Sequence, residues 1–180
     1  GMPTTWTLPE YLERKRELVD AYRKQLRGAD AAPAPLRAAV TVAAGSGVRP
    51  IRMRDHTVIS DAGAAIGGWG LGATAPELLL GALASCLAHS AIMIAADHGI
   101  ALEELTIEVS GQLDYRGTLG IAAEAVVPPT NLGYVLQFGG TISDEAIATI
   151  ERDIARLCPV LLALAQPMEV MGRSERLSAS

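Results

Sequence analysis

The chain has 180 residues, 49% hydrophobic and 19% charged, which is long and apolar enough for one domain with a core and unlike a disordered polymer. Fifteen Lys and Arg against 20 Asp and Glu give a net charge of −5, and 4% of residues are aromatic, so neither a broad nucleic-acid footprint nor a base-stacking platform is expected. Two cysteines, Cys86 and Cys158, are too few for a disulfide-built secreted scaffold.

Gly1 ahead of Met2 reads as a cloning remnant. The charges at Glu10, Glu13, Arg14, Lys15, Arg16 and Glu17 leave no apolar secretory core, and a cytoplasmic protein is expected. Residues 9–27 read as an amphipathic helix: Pro9 suits its first turn, Leu12, Val19, Tyr22 and Leu26 share a face, and Gly28 closes it. The run DAAPAP at 30–35 marks a break. The expected organisation is an N-terminal helical extension at 2–30, a linker at 31–35 and one domain at 36–180. The N-terminal part is basic, with 10 Lys and Arg against 5 Asp and Glu in residues 1–54. That excess is a solvated helix face with loop arginines, or a means of bringing Arg to an acidic partner surface such as a second subunit.

Leu36–Ala43 and Ile51–Ile59 read as strands of a hairpin turned at Gly45, Ser46, Gly47 and Pro50. Ala62–Thr74 has no period and reads as a loop; its GGWGLG run lacks the Lys and Ser or Thr of a phosphate loop. Ala75–His98 reads as the first central helix, with Thr74 and Glu77 as a capping box, Pro76 in the first turn and Gly99 as the stop. Leu105, Ile107 and Val109 alternate with polar residues as in a half-buried strand. Leu119–Val127 and Tyr134–Ile142 are two more predicted strands, separated by Pro128, Pro129, Asn131 and Gly133. Ser143 caps a second helix carrying Ile147, Ile150, Ile154, Leu157 and Cys158 on one side, which Pro159 ends. A short turn or helix to Ala165 and a final strand at Met168–Gly172 complete the reading. The order gives an α+β fold of two layers, with two long apolar central helices against a mostly antiparallel sheet.

Leu78–Ala96 is 19 residues without a formal charge, nearly a bilayer span. Ser85, Cys86, His89 and Ser90 at its centre, acidic flanks at Glu77 and Asp97, and no adjacent Lys or Arg favour a buried central helix, so no membrane partner is expected.

Cys86 lies among Leu83, Ala84, Leu87 and Ala88, and alone reads as a small core residue. Cys158 stands just before Pro159, where a new helical turn could start and its amides lower a thiol pKa. Both thiols sit on helices that must pack together. His89 shares a helix face with Cys86 and is a partner for it or a core histidine; two Cys and three His without a CxxC argue against a metal site.

The run ISDAGAAIGGWGLGATAPELLLGALASCLAHSAIMIAADHGIALEELTIEVSGQLD, with CPV at Cys158, resembles the signature region of the OsmC/Ohr superfamily, the osmotically inducible protein C and organic hydroperoxide resistance families. The resemblance covers about residues 36–172. It implies an OsmC-like fold in an intertwined homodimer with active sites at the subunit interface, and thiol-dependent reduction of hydroperoxides. Cys86 would be the peroxidatic thiol and Cys158 the resolving thiol, with an external lipoyl-type dithiol as reductant and no bound cofactor. The family also uses an Arg to stabilise the thiolate and a Glu to hold that Arg. Arg49, Arg52 and Arg54 qualify for the first role, and Arg49 follows the GSGVR turn as the family's arginine follows its own. Glu77 follows Pro76 and is either that Glu or only a helix cap. The nine-residue step from Glu77 to Cys86 and the scarcity of aromatics resemble the general OsmC-like branch more than the dedicated hydroperoxide-resistance branch. The other reading is a non-enzymatic OsmC-like redox sensor or a binder of an apolar ligand.

Overall fold

The computed structural model describes residues 6–28 and 30–178; the reading of Gly1 and Met2 lies outside them. Helix α1, Leu8–Leu26, begins where Thr7 Oγ1 accepts the Glu10 amide at 3.3 Å, with Pro9 in its first turn. Its packing is polar as much as apolar. Leu12 is buried, while Tyr22 and Leu26 of the expected apolar face stay exposed. Two contacts dock α1 on the central helix α2, Ala75–His98. Lys15 Nζ lies 2.7 Å from His89 Nε2, and the Arg23 guanidinium grips both oxygens of Asp97.

Next comes a three-stranded antiparallel sheet, β1 (Ala39–Val40), β2 (Arg49–Met53) and β3 (His56–Ser60), in that order. It departs from the sequence reading twice. Only two of the eight residues expected in the first strand join a ladder, and the expected strand Ile51–Ile59 is folded into a hairpin of its own, with Met53 opposite His56. The turn needs a positive φ, and Arg54 adopts it at 57°. Turn chemistry normally marks such a point with Gly or Asn, so the pattern carried no signal.

The loop to α2 contains one 3₁₀ turn, Ala64–Ile66. Helix α2 has the boundaries its caps dictate. Glu77 Oε1 accepts the Thr74 amide at 3.0 Å, the Glu77 amide returns to Thr74 Oγ1 at 3.3 Å, and Gly99 closes the helix in the left-handed region at φ 64°. Among the described residues α2 is the one helix long and apolar enough to cross a membrane by length and composition, and its Leu83, Leu87, Ala91 and Ile94 are buried within the fold.

A second antiparallel pair, β4 (Glu104–Gln112) and β5 (Thr130–Gly139), packs on α2. Leu105 faces Phe138, Ile107 faces Leu136, and Val109 faces Tyr134, all with Cα partners in register. Between these strands the chain forms a short helix α3, Tyr115–Thr118, and then irregular turns. The strand expected at Leu119–Val127 is absent there. Gly120 turns the chain at φ 70°, and Ile121, Val126 and Val127 are exposed, so no ladder forms. Helix α4, Asp144–Leu157, is capped by Ser143 Oγ on the Ala146 amide at 3.1 Å, and α5, Pro159–Ala165, follows directly. The strand expected at Met168–Gly172 finds no ladder partner among the described residues, and Val170 and Met171 are exposed there.

The core lies where α2, α4 and the β4–β5 pair meet. Leu87, Ala91, Leu102, Ile150, Ile154 and Cys158 have no exposed surface, and Leu105, Ile107, Leu136 and Phe138 pack against them. The fold is α+β with antiparallel strand pairing, as read, though the strands form two separate sheets.

Candidate active site

Cys158 stands at the break between α4 and α5. Its φ and ψ of −83° and 108° leave the helical region, as the residue before a proline should, while its amide still closes α4 on the Ile154 carbonyl at 3.1 Å. Pro159 has no N–H, so the first free amide of α5 belongs to Val160. That amide reaches Cys86 on α2, and so do the side chains of Cys158 and Ser90. The two cysteines, 72 positions apart in sequence, are thus neighbours, and both are free thiols. Cys86 is half-buried and Cys158 fully buried.

Burial pushes the Cys86 thiol above the usual cysteine range. The Val160 amide and the Ser90 hydroxyl oppose that rise, and Cys158 adds to it. A thiol in this setting is mostly protonated at neutral pH, and it gains reactivity when a positive group approaches.

Arg49 is not that group within one chain. Its guanidinium donates to the Gly47 carbonyl at 2.7 Å, the Asp61 carbonyl at 3.2 Å and Ser60 Oγ at 3.4 Å. It faces a cavity of about 410 Å³ that Thr74, Ala75 and Pro76 also line, at the start of α2. Cys86 lies 11 residues beyond Ala75, about 16 Å along the helix axis. Glu77 is committed to the Thr74 cap, and its carboxyl is held below the usual range by the Thr74 amide and hydroxyl. It too stands at the start of α2, about 14 Å from Cys86 along the axis. Arg52 is exposed on β2, and Arg54 sits in the β2–β3 turn. His89 turns to α1. Burial first, and then Lys15, hold its imidazole below the usual range, so it serves the ammonium as a neutral acceptor.

An open cavity of about 640 Å³ runs along Leu79 and Leu83 of α2 and is also lined by Pro129, Leu132, Tyr134, Leu161 and Leu164. Leu79, Leu83 and Cys86 follow one helical stripe, and Leu161 adjoins Val160, so the apolar cavity leads toward the thiols.

Three groups have no role in the sequence reading, two beside Cys86 and one near the start of α2. The Val160 amide was foreshadowed by Cys–Pro, which strips one amide and leaves the next free. Ser90 was signalled by its step of four from Cys86. Asp61, read only as part of a motif, binds the loop that follows it: Oδ1 accepts the Ala62 amide at 2.8 Å, and Oδ2 accepts those of Trp69 at 3.0 Å and Leu71 at 3.1 Å.

An α+β chain with paired thiols between its central helix and a helix break defines a class of two-layer thiol protein, and solved structures share its fold. An organic hydroperoxide resistance protein OsmC of Legionella pneumophila superposes with a TM-score of 0.53 at 19% identity, over 74% of this chain and 90% of that one. An OsmC-like protein of Mycoplasma pneumoniae gives 0.58 at 17% identity, over 74% and 89% of the two chains. A Psychrobacter arcticus protein provisionally assigned to the osmotic stress and detoxification response gives 0.56 at 21%, over 72% and 88%. At these identities the likeness is one of fold. The OsmC-like protein family model matches residues 68–171, more than half of the chain, and the protein therefore belongs to the OsmC-like family. Among curated proteins none matches the sequence.

Proposed function

We propose that the protein is a thiol-dependent peroxidase that reduces organic or small hydroperoxides through a Cys86–Cys158 cycle. The observation that carries this reading is the contact of a half-buried thiol with a fully buried one between α2 and the α4–α5 break. The Cys86 thiolate attacks the terminal peroxide oxygen and the O–O bond breaks. The departing alkoxide takes a proton and leaves as an alcohol, and Cys86, oxidised by two electrons, becomes a sulfenic acid. The Cys158 sulfur then displaces the hydroxyl group, which leaves as water, and an S–S bond forms. A lipoyl-type dithiol returns two electrons by exchange and restores both thiols, so sulfur carries the electrons and no bound cofactor is required. The apolar cavity suits the organic part of a hydroperoxide.

The working unit in this proposal is a cytoplasmic homodimer that acts on neither nucleic acid nor membrane. Arg49 and Glu77 line two separate cavities near the start of α2 that share Thr74 and Pro76, and both are far from Cys86 of their own chain. A second copy would present that pair to the thiol, Arg49 stabilising the thiolate and Glu77 holding the guanidinium.

The raised thiol and the apolar cavity also suit a non-enzymatic redox sensor or apolar-ligand binder. Steady-state consumption of a hydroperoxide panel with a reducing dithiol separates the two readings. Cys86→Ser is expected to abolish turnover, and Cys158→Ser to stop it after one sulfenic acid per chain. Turnover unchanged by Cys86→Ser would sink the peroxidase reading.

A further inference from the structure

Ser90 is 1% exposed and stands one helical turn beyond Cys86 on α2. Side chains four apart on a helix are neighbours. Every buried side-chain nitrogen or oxygen among the described residues has a hydrogen-bond partner, so the Ser90 hydroxyl is engaged. A buried helical serine ordinarily bonds the carbonyl four residues back, which here is the backbone of Cys86 itself. The same step sets the Ser90 side chain beside the Cys86 thiol, where it opposes the rise in pKa that burial causes.

We propose that Ser90 is a catalytic residue whose hydroxyl donates a hydrogen bond to the Cys86 sulfur and holds the thiolate during attack on the peroxide. This deepens the peroxidase reading and rests on it for its catalytic meaning. The hydroxyl belongs to the same chain and the same helix as the thiol, so it is in place whether or not a second copy brings a cation. A hydrogen bond to an anion is stronger than one to a neutral group, so the bond favours the thiolate over the thiol. Ser90 neither gains nor loses a proton. The Cys86 proton goes to solvent, and its sulfur pair forms the new S–O bond as the peroxide O–O bond breaks.

The test is the pH dependence of iodoacetamide alkylation in a Cys158→Ser background, where Cys86 is the single thiol. This readout needs no peroxide turnover. Ser90→Ala is expected to move the alkylation midpoint up by about one pH unit, a tenfold loss of thiolate at neutral pH. Because a more basic thiolate is intrinsically more nucleophilic, the neutral-pH rate falls less, by about threefold. Ser90→Thr and Ser90→Val form a second pair of equal bulk. The Thr variant is expected to keep the wild-type midpoint and the Val variant to follow Ala, which holds the comparison open if the Ala variant folds poorly. An unchanged midpoint in Ser90→Ala, or equal midpoints in the Thr and Val variants, would overturn the proposal and leave Ser90 bonded only to its own helix. A shifted midpoint in a protein that turns over no hydroperoxide would support the hydrogen bond and count against the peroxidase reading alone.

Discussion

A carboxylate buried to 1% exposure is tolerable only when its lone pairs are used, and Asp61 uses them on three backbone amides across the glycine-rich loop. Gly68 has no room for a side chain: a Cβ there would stand 1.7 Å from the Ala62 carbonyl oxygen. The amides of Leu71, Ala62 and Trp69, with Arg49 nearby, hold the Asp61 carboxyl below the usual carboxylate range. Its folded pKa is depressed, so it contributes stability above its unfolded pKa and loses that contribution as pH falls through the folded one. Asp61→Asn turns one amide NH₂ toward backbone donors. The variant is expected to melt below wild type at pH 7, and the gap should close as acid protonates Asp61 in the wild-type chain. Thermal melts at pH 7 and pH 3 check this, and a gap of equal size at both would contradict it.

Among the elements, α2 was fully legible because both of its ends carry chemistry: Thr74 and Glu77 reciprocate at one, and Gly99 takes a positive φ at the other. The break at Cys158 was legible for a similar reason, since Pro159 forbids the helix to continue. The β2–β3 hairpin was not, because Arg54 takes the positive φ that usually falls to glycine. Residues 119–127 were misread for the converse reason. Their apolar content suggests a strand, but Gly120 and the crowding of Gly117 against Val126 belong to a turn. The packing of two apolar helices made contact between the cysteines legible, while helix periodicity alone left Cys86 a core residue and only the family resemblance gave the pair its roles. A disulfide there would staple α2 to the α4–α5 break across a closed loop of 72 positions. On chain-entropy grounds such a closure contributes about 4 kcal/mol. Peroxide-treated protein is therefore expected to melt about 10 °C above dithiol-treated protein in calorimetry. Cys86→Ser should erase the difference, and a difference that survives would assign it to another oxidation.

At the scale of the whole molecule, one chain leaves much apolar surface uncovered. Leu36, Val170 and Leu177 are 94%, 87% and 90% exposed, far from the core and outside any ladder. Such surface fits the proposed second copy, and so does the distance of Arg49 from Cys86 of its own chain. Mixing two inactive variants tests the arrangement directly. If each site takes Cys86 from one copy and Arg49 from the other, refolding Arg49→Ala with Cys86→Ser yields mixed dimers with one intact site. Random pairing is then expected to restore about a quarter of wild-type turnover. No recovery on mixing would place Arg49 and Cys86 in separate duties.

The loop held by Asp61 also makes the molecule its own optical probe. The chain has two tryptophans, and Trp69 rides on that loop 69% exposed. Its indole is displayed to water on a backbone that three carboxylate bonds keep from rearranging, so a change in its emission reports what comes to cover the loop more than a change in the loop's own shape.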